Sequence, residues 1–220
     1  MMSTGSITGV MAKIDRETST AWDHYAGNAL NGPLAESDAS LEILPVFHLP
    51  WSEWRALYPQ TTVLPWDDAY VADYADATSP IGERDYPQGF TLSIVNRDNR
   101  LQENEIVLGI ISGENHVAYP MDSFPSGLSV YNDQVDDTPV VIFAHPEQIV
   151  AVAFSATLDG EQLTFTMNEG AIQDRSGSTW SLTGYALDGP YAGRQLEHIP
   201  SFVSEWYGWS SHFTDTELRS

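Results

Sequence analysis

Two distant stretches of this chain are nearly the same text. Residues 22–33 read WDHYAGNALNGP, and residues 180–190 read WSLTGYALDGP. The echo continues downstream, where Leu41, Glu42, Pro45, Phe47, Trp51 and Trp54 match Leu196, Glu197, Pro200, Phe202, Trp206 and Trp209 in order. Upstream, Asp15-Arg16 and Asp174-Arg175 precede the two tryptophans, with spacings that differ by one residue. Matched glycine–proline turns and paired tryptophans at such intervals point to an internal duplication. A duplication limits the possible folds more than any single residue does.

The two copies are unequal. The second is preceded by strand-like sequence from about 104 to 173, whereas only fourteen residues precede Asp15. The expected organisation is a partial first copy (1–64), an acidic connector rich in proline and tyrosine (65–103), and a complete second copy (104–220). The first copy then lacks its opening strands. A sheet edge left bare in this way has to be covered by the second copy, by another copy of the chain in a homo-oligomer, or by a partner chain.

Strand signals dominate the second part. Runs at 105–111 and 116–119 flank the hairpin turn at 112–115, and further runs follow at 128–132, 138–143, 149–156 and 162–167. Leu158, Asp159 and Gly160 supply turn chemistry between the last two. Val140 to Phe143 is continuously apolar and reads as a central strand covered on both faces. A helix is expected at 204–213, with Ser204 as N-cap and Trp206, Trp209 and Phe213 on one face. Trp51, Trp54 and Tyr58 predict its counterpart in the first copy, both helices closing over a sheet. The fold class is therefore mainly β with a few short helices, a β-rich α+β chain. The connector, with Pro65, Asp67, Asp68, Tyr70, Asp73, Tyr74, Pro80, Tyr86 and Pro87, reads as a segment laid over the surface and pinned by its rings.

Composition narrows the function. Apolar residues make up 42% and aromatics 11%, enough for a packed core rather than a disordered chain. The net charge is −22 and Lys13 is the one lysine. Carboxylates spread along the whole length give an acidic folded surface of the kind suited to a salt-rich, halophilic setting. Nucleic acid is excluded as a partner on the same ground, because phosphate binding needs clustered lysine and arginine. No run is long enough for a membrane helix, and residues 1–9 carry no export signal. With no cysteine, disulfides, thiol nucleophiles and thiolate metal sites are all ruled out.

Several ordered elements resemble the domain-of-unknown-function family numbered 3179, found in bacteria and haloarchaea. They include Val107 to Gly109, Ala118 to Pro120, Val130 to Asp133, Thr138 to Val141, Ala153-Phe154, Leu163 to Phe165, Asp174-Arg175, Trp180, Gly184, Gly189-Pro190, Leu196 and Trp206. The resemblance implies tandem copies and a protein that is often exported or lipid-anchored; it assigns neither an activity nor a cofactor, and both stay open. Relatives carry two cysteines around a proline between the central strands, where this chain has His145, Pro146, Glu147 and Gln148. Thiol chemistry at that position is therefore absent here.

Three residues stand out as metal candidates: His145 and Glu147 after the central strand, and Asp133 beside Asn132 near the end of the preceding one, with His116 as a further possible ligand. Against them stand a solvent-facing turn histidine and turn-satisfying Asn and Asp. Asp15-Arg16 and Asp174-Arg175 read as ion pairs or turn clamps. No nucleophile elbow, phosphate loop, dinucleotide fingerprint or complete calcium loop occurs, and no catalytic residue is assigned. The leading expectation is a β-rich binding or structural module of an acidic, halophilic protein. The alternative is a metal-dependent enzyme using His145, Glu147 and Asp133.

Overall fold

The structure, a computed structural model, describes residues 2–7, 10–73 and 92–220. Of the expected connector, residues 74–91 lie outside the described residues, among them Tyr74, Pro80, Tyr86 and Pro87. The chain is β-rich, with two seven-residue α-helices among the described residues and several small sheets.

The N-terminal part forms a four-stranded antiparallel meander of β1 (Met2–Ile7), β2 (Val10–Ile14), β3 (Ala21–Asp23) and β4 (Ala29–Asn31). After it comes α1 (Trp51–Leu57). The long hairpin of β5 (Ile106–Ser112) and β6 (Asn115–Pro120) follows, turning at Gly113 and Glu114 as the sequence predicts. Next come β7 (Ser129–Val135), β8 (Thr138–His145) and β9 (Val150–Ser155), a three-stranded sheet with β8 at its centre. The hairpin of β10 (Thr157–Leu158) and β11 (Glu161–Gln162) turns at Asp159 and Gly160. A smaller sheet then holds β12 (Phe165–Asn168), β13 (Ala171–Asp174) and β14 (Thr179–Trp180). Finally β15 (Ser201–Glu205) runs directly into α2 (Trp206–His212), and β16 (Glu217–Leu218) adds parallel to β6.

Alternating side chains stack these sheets into layers. On β8, Val140, Ile142 and Ala144 point into a core shared with Leu108 and Ile110 of β5 and Val117 and Tyr119 of β6. Val141 and Phe143 point the other way, onto Phe165, Ile172 and Trp180 of the small sheet. The continuously apolar run at 140–143 is thus a strand with two buried faces.

Residues Val107 of β5 and Ala118 of β6 face a third core made with Trp206, Trp209 and Phe213. Gly109 is the platform for this contact, because a Cβ there would collide with the Trp209 ring. The absent side chain is what lets the indole lie on the β5 backbone. Residues before β5 close the other side of α2. Trp206 donates its indole N–H to Asp98 O at 2.9 Å, Arg100 lies over the Trp206 ring at 5.4 Å, and Asn96 donates to Ser211 O at 3.1 Å.

Two expectations need correction. Ser204 remains in β15 and does not cap α2; Glu205 holds the N-cap position without a side-chain bond. The first-copy helix forms, yet α1 buries none of its residues, and Trp51 is 49% exposed. Trp54 instead donates to Thr61 Oγ1 at 2.9 Å and packs on Tyr58 at 4.5 Å. The physical reason is that α2 has the β5–β6 face to cover, whereas among the described residues no such sheet lies beneath α1.

The two echoing stretches make the same local bonds. Trp22 Nε1 donates to Asp15 Oδ2 at 2.8 Å, and Trp180 Nε1 to Asp174 Oδ2 at 2.9 Å. Leu41 N–H reaches Gly27 O at 2.8 Å, and Leu196 N–H reaches Gly184 O at 2.9 Å. Gly32 and Gly189 both have positive φ, 106° and 78°, and pack tightly against the backbones of Thr20 and Ser178. In both turns the aspartate clamps backbone amides: Thr18 and Thr20 for Asp15, Ser176 and Ser178 for Asp174.

Candidate binding groove

The sequence-predicted metal residues separate into two places. His145 ends β8, and Glu147 sits in the single turn Pro146–Gln148 that follows. His145 Nδ1 lies 3.1 Å from Glu147 Oε2, close enough for an ion pair but without hydrogen-bond alignment, so that buried nitrogen has no hydrogen-bond partner. Glu147 accepts the Gly127 amide at 3.0 and 3.1 Å, and backbone amides hold its pKa below the ordinary value.

Asp133 sits opposite Val140 across the β7–β8 ladder, five residues up the strand from His145. At about 3.3 Å per residue that is a separation of about 16 Å. There Asp133 accepts the Tyr119 hydroxyl at 2.6 Å and Arg219 Nη1 at 2.9 Å. Burial works to raise its pKa, but the bonds from Tyr119, the Gln134 amide and Arg219 outweigh it and the net shift is downward. Asp133 therefore clamps the C-terminal segment and does not join His145. Asn132 bonds both backbone groups of Phe165, at 2.8 and 2.9 Å, and straps β7 to β12. His116 stacks on Phe213 and lies 3.0 Å from Asp215. Among the described residues, no group of three or more His, Asp or Glu side chains is arranged to hold a metal ion.

A different feature stands out. The segment 42–50 has no regular secondary structure and crosses beside β15, leaving a groove of about 1300 Å³. Ile43, Leu44, Val46 and Leu49 contribute apolar surface from the segment, and Phe202, Val203 and Ile149 from the body of the protein. Phe47 anchors the segment, packing on Phe154 at 6.3 Å and His198 at 5.7 Å. His198 Nε2 is buried there without a partner, and burial lowers its pKa, so the neutral ring is favoured.

At one end the first sheet docks on α2. His212 Nε2 lies 2.9 Å from the buried Asp23 carboxylate, and the Tyr25 hydroxyl meets Ser204 Oγ at 2.8 Å. Tyr25 also packs on Phe202 at 4.7 Å. The groove is thus built from separate parts of the sequence, among them the first sheet, the 42–50 segment, residues 148–149 and the β15 edge. That is why no contiguous motif announced it. The one signal in the sequence is the largely apolar run at 43–49, which has neither helical nor strand periodicity.

The groove has largely apolar walls and a few polar groups at its rim. The chain matches the family described as a protein of unknown function (DUF3179) over residues 7–216, nearly its whole length, and it belongs to that family. Neither a curated protein nor a solved structure matches it.

Proposed function

We propose that this protein is a non-catalytic binding module and that the groove between residues 42–50 and β15 is its binding site. The observation that carries this reading is the groove itself: about 1300 Å³ of space with predominantly apolar walls, reached from solvent. Leu44 and Val46 at its wall are 65% and 57% exposed. Large exposed apolar side chains gathered around a concavity mark a contact surface.

The test is titration of the full chain with an uncharged apolar dye such as Nile red. Saturable one-site binding is expected, weakened at least tenfold by Val46→Asp at unchanged melting temperature. Absence of saturable binding, or equal binding by that variant, contradicts the reading.

Two further parts of the proposal concern architecture and setting. The paired Asp–Trp clamps and matching glycine contacts support descent of both stretches from one ancestral unit. The charge of −22 supports a halophilic setting, since dense carboxylates repel one another unless salt screens them.

The alternative of a metal-dependent enzyme now has only the His145–Glu147 pair to stand on. Metal titration of the purified chain tests it: stoichiometric binding lost in His145→Ala favours it, and no binding removes it.

A further inference from the structure

The segment leading into β15 changes partners partway. Residues 197–199 pair with β9, through Ser155 N–H to Glu197 O at 2.8 Å and Ile199 N–H to Ala153 O at 3.1 Å. From Pro200 onward the strand swings to β5, beginning with Ile111 N–H to Pro200 O at 2.8 Å. β9 stays against the start of β15, where Ala153 N–H donates to Ser201 Oγ at 3.3 Å, and Gln148 and Ile149 line the groove beside the rest of the β15 edge.

The ladder fixes what that edge presents. Trp206 donates to Glu105 O at 2.7 Å, so with Ile111–Pro200 it sets the alternation along β5 and β15. Phe202 and Ser204 turn their backbone groups toward β5, and Val203 turns its N–H and C=O outward along the groove. An edge donor and acceptor inside an apolar concavity is a template for another strand.

Two observations specify the occupant. Ile149, on the wall facing that edge, is held at φ 53° while 40% exposed. This is a costly backbone conformation for a β-branched residue, with little burial gained in return, and such strain concentrates at sites of contact. Among the described residues, the carboxylates lining the groove are Glu42 and Glu205, and neither Lys nor Arg lines it. With the whole chain at −22, the groove favours a cationic ligand.

We infer that the groove takes an extended peptide segment, apolar at alternate positions and carrying lysine or arginine, as an added strand on the β15 edge. The inference rests on the groove being a binding site and supplies its ligand class and binding mode.

The experiment uses the full chain and a peptide of alternating valine and threonine flanked by lysines, with fluorescence anisotropy as readout. Three comparisons accompany it: the same peptide N-methylated at alternate amides, the same peptide flanked by glutamates, and Val203→Pro protein. Proline at 203 removes the outward N–H, which an edge strand tolerates, and trims the Val203 packing on the core, so the variant's melting temperature is measured alongside. Saturable binding is expected, weakened at least tenfold by N-methylation, by glutamate flanks at low salt, and by Val203→Pro. Peptide binding that survives both N-methylation and Val203→Pro overturns strand addition. If Val203→Pro fails to fold, the N-methylated peptide on the wild-type chain decides alone. Nile red binding without peptide binding overturns the inference and leaves the groove as a site for small apolar molecules. Failure of both dye and peptide ends both readings.

Discussion

Trp180 donates its indole N–H to Asp174 at 2.9 Å, and the same carboxylate takes the backbone amides of Ser176 and Ser178. Asp174 is 4% exposed, so removing it strands a buried indole and two amides at once. Asp174→Ala is expected to cost about 3 kcal/mol, the scale of charge-assisted bonds lost with their donors left orphaned. Asp15→Ala at the corresponding turn should lower the melting temperature less, because that carboxylate is only half-buried. Denaturant unfolding at fixed salt measures both; an equal or reversed order contradicts the account.

Gly109 and Trp209 form a contact that tolerates no added atom. The indole is also held by its bond to Thr216 Oγ1 at 2.9 Å, so the ring has little freedom to retreat. Gly109→Ala should destabilise by about 1–3 kcal/mol, the range for overpacking a core. Near-UV circular dichroism should show the altered Trp209 environment. A neutral substitution would mean the helix shifts without penalty.

The Asp23–His212 contact gives the docking of the first sheet a pH dependence. Burial acts to raise the Asp23 pKa, but hydrogen bonds from His212 and from the amides of Tyr25 and Ala26 outweigh it and bring it below the ordinary 3.8. A carboxylate whose pKa is depressed in the folded state stabilises that state above its unfolded pKa. The contribution is lost as pH falls through the folded value. Melting temperature should therefore drop on acidification below about pH 4, and Asp23→Asn should flatten that part of the profile. An unchanged acid limb in the variant contradicts the assignment.

Salt should stabilise this chain. Between about 0.1 and about 1 M the Debye length falls from about 10 to about 3 Å, which screens the carboxylate repulsion. The melting temperature is expected to rise steadily over that interval in potassium chloride. A flat or falling profile removes the halophilic reading.

The strands were readable because alternation and turn chemistry act locally. Val140 to Phe143 identified a doubly covered strand, and Gly113 and Gly160 marked their hairpins. Trp206 and Trp209 were rightly placed in a core. Trp51 and Trp54 misled, since an apolar helical spacing records what a helix offers and not whether a sheet lies beneath it. The spacing of His145 and Asp133 carried no distance information, because both lie on paired strands whose register separates them along the sheet. The groove escaped notice for a related reason: Phe47, Ile149 and Val203 meet only once the first part of the chain folds back on the last.

The most direct test of the groove as the binding site is amide hydrogen exchange on the full chain, followed by mass spectrometry with and without saturating Nile red. New protection confined to peptides covering residues 42–50 and 201–205 is the predicted result. Protection elsewhere, for example around His145 and Glu147, or no change at all, would contradict it.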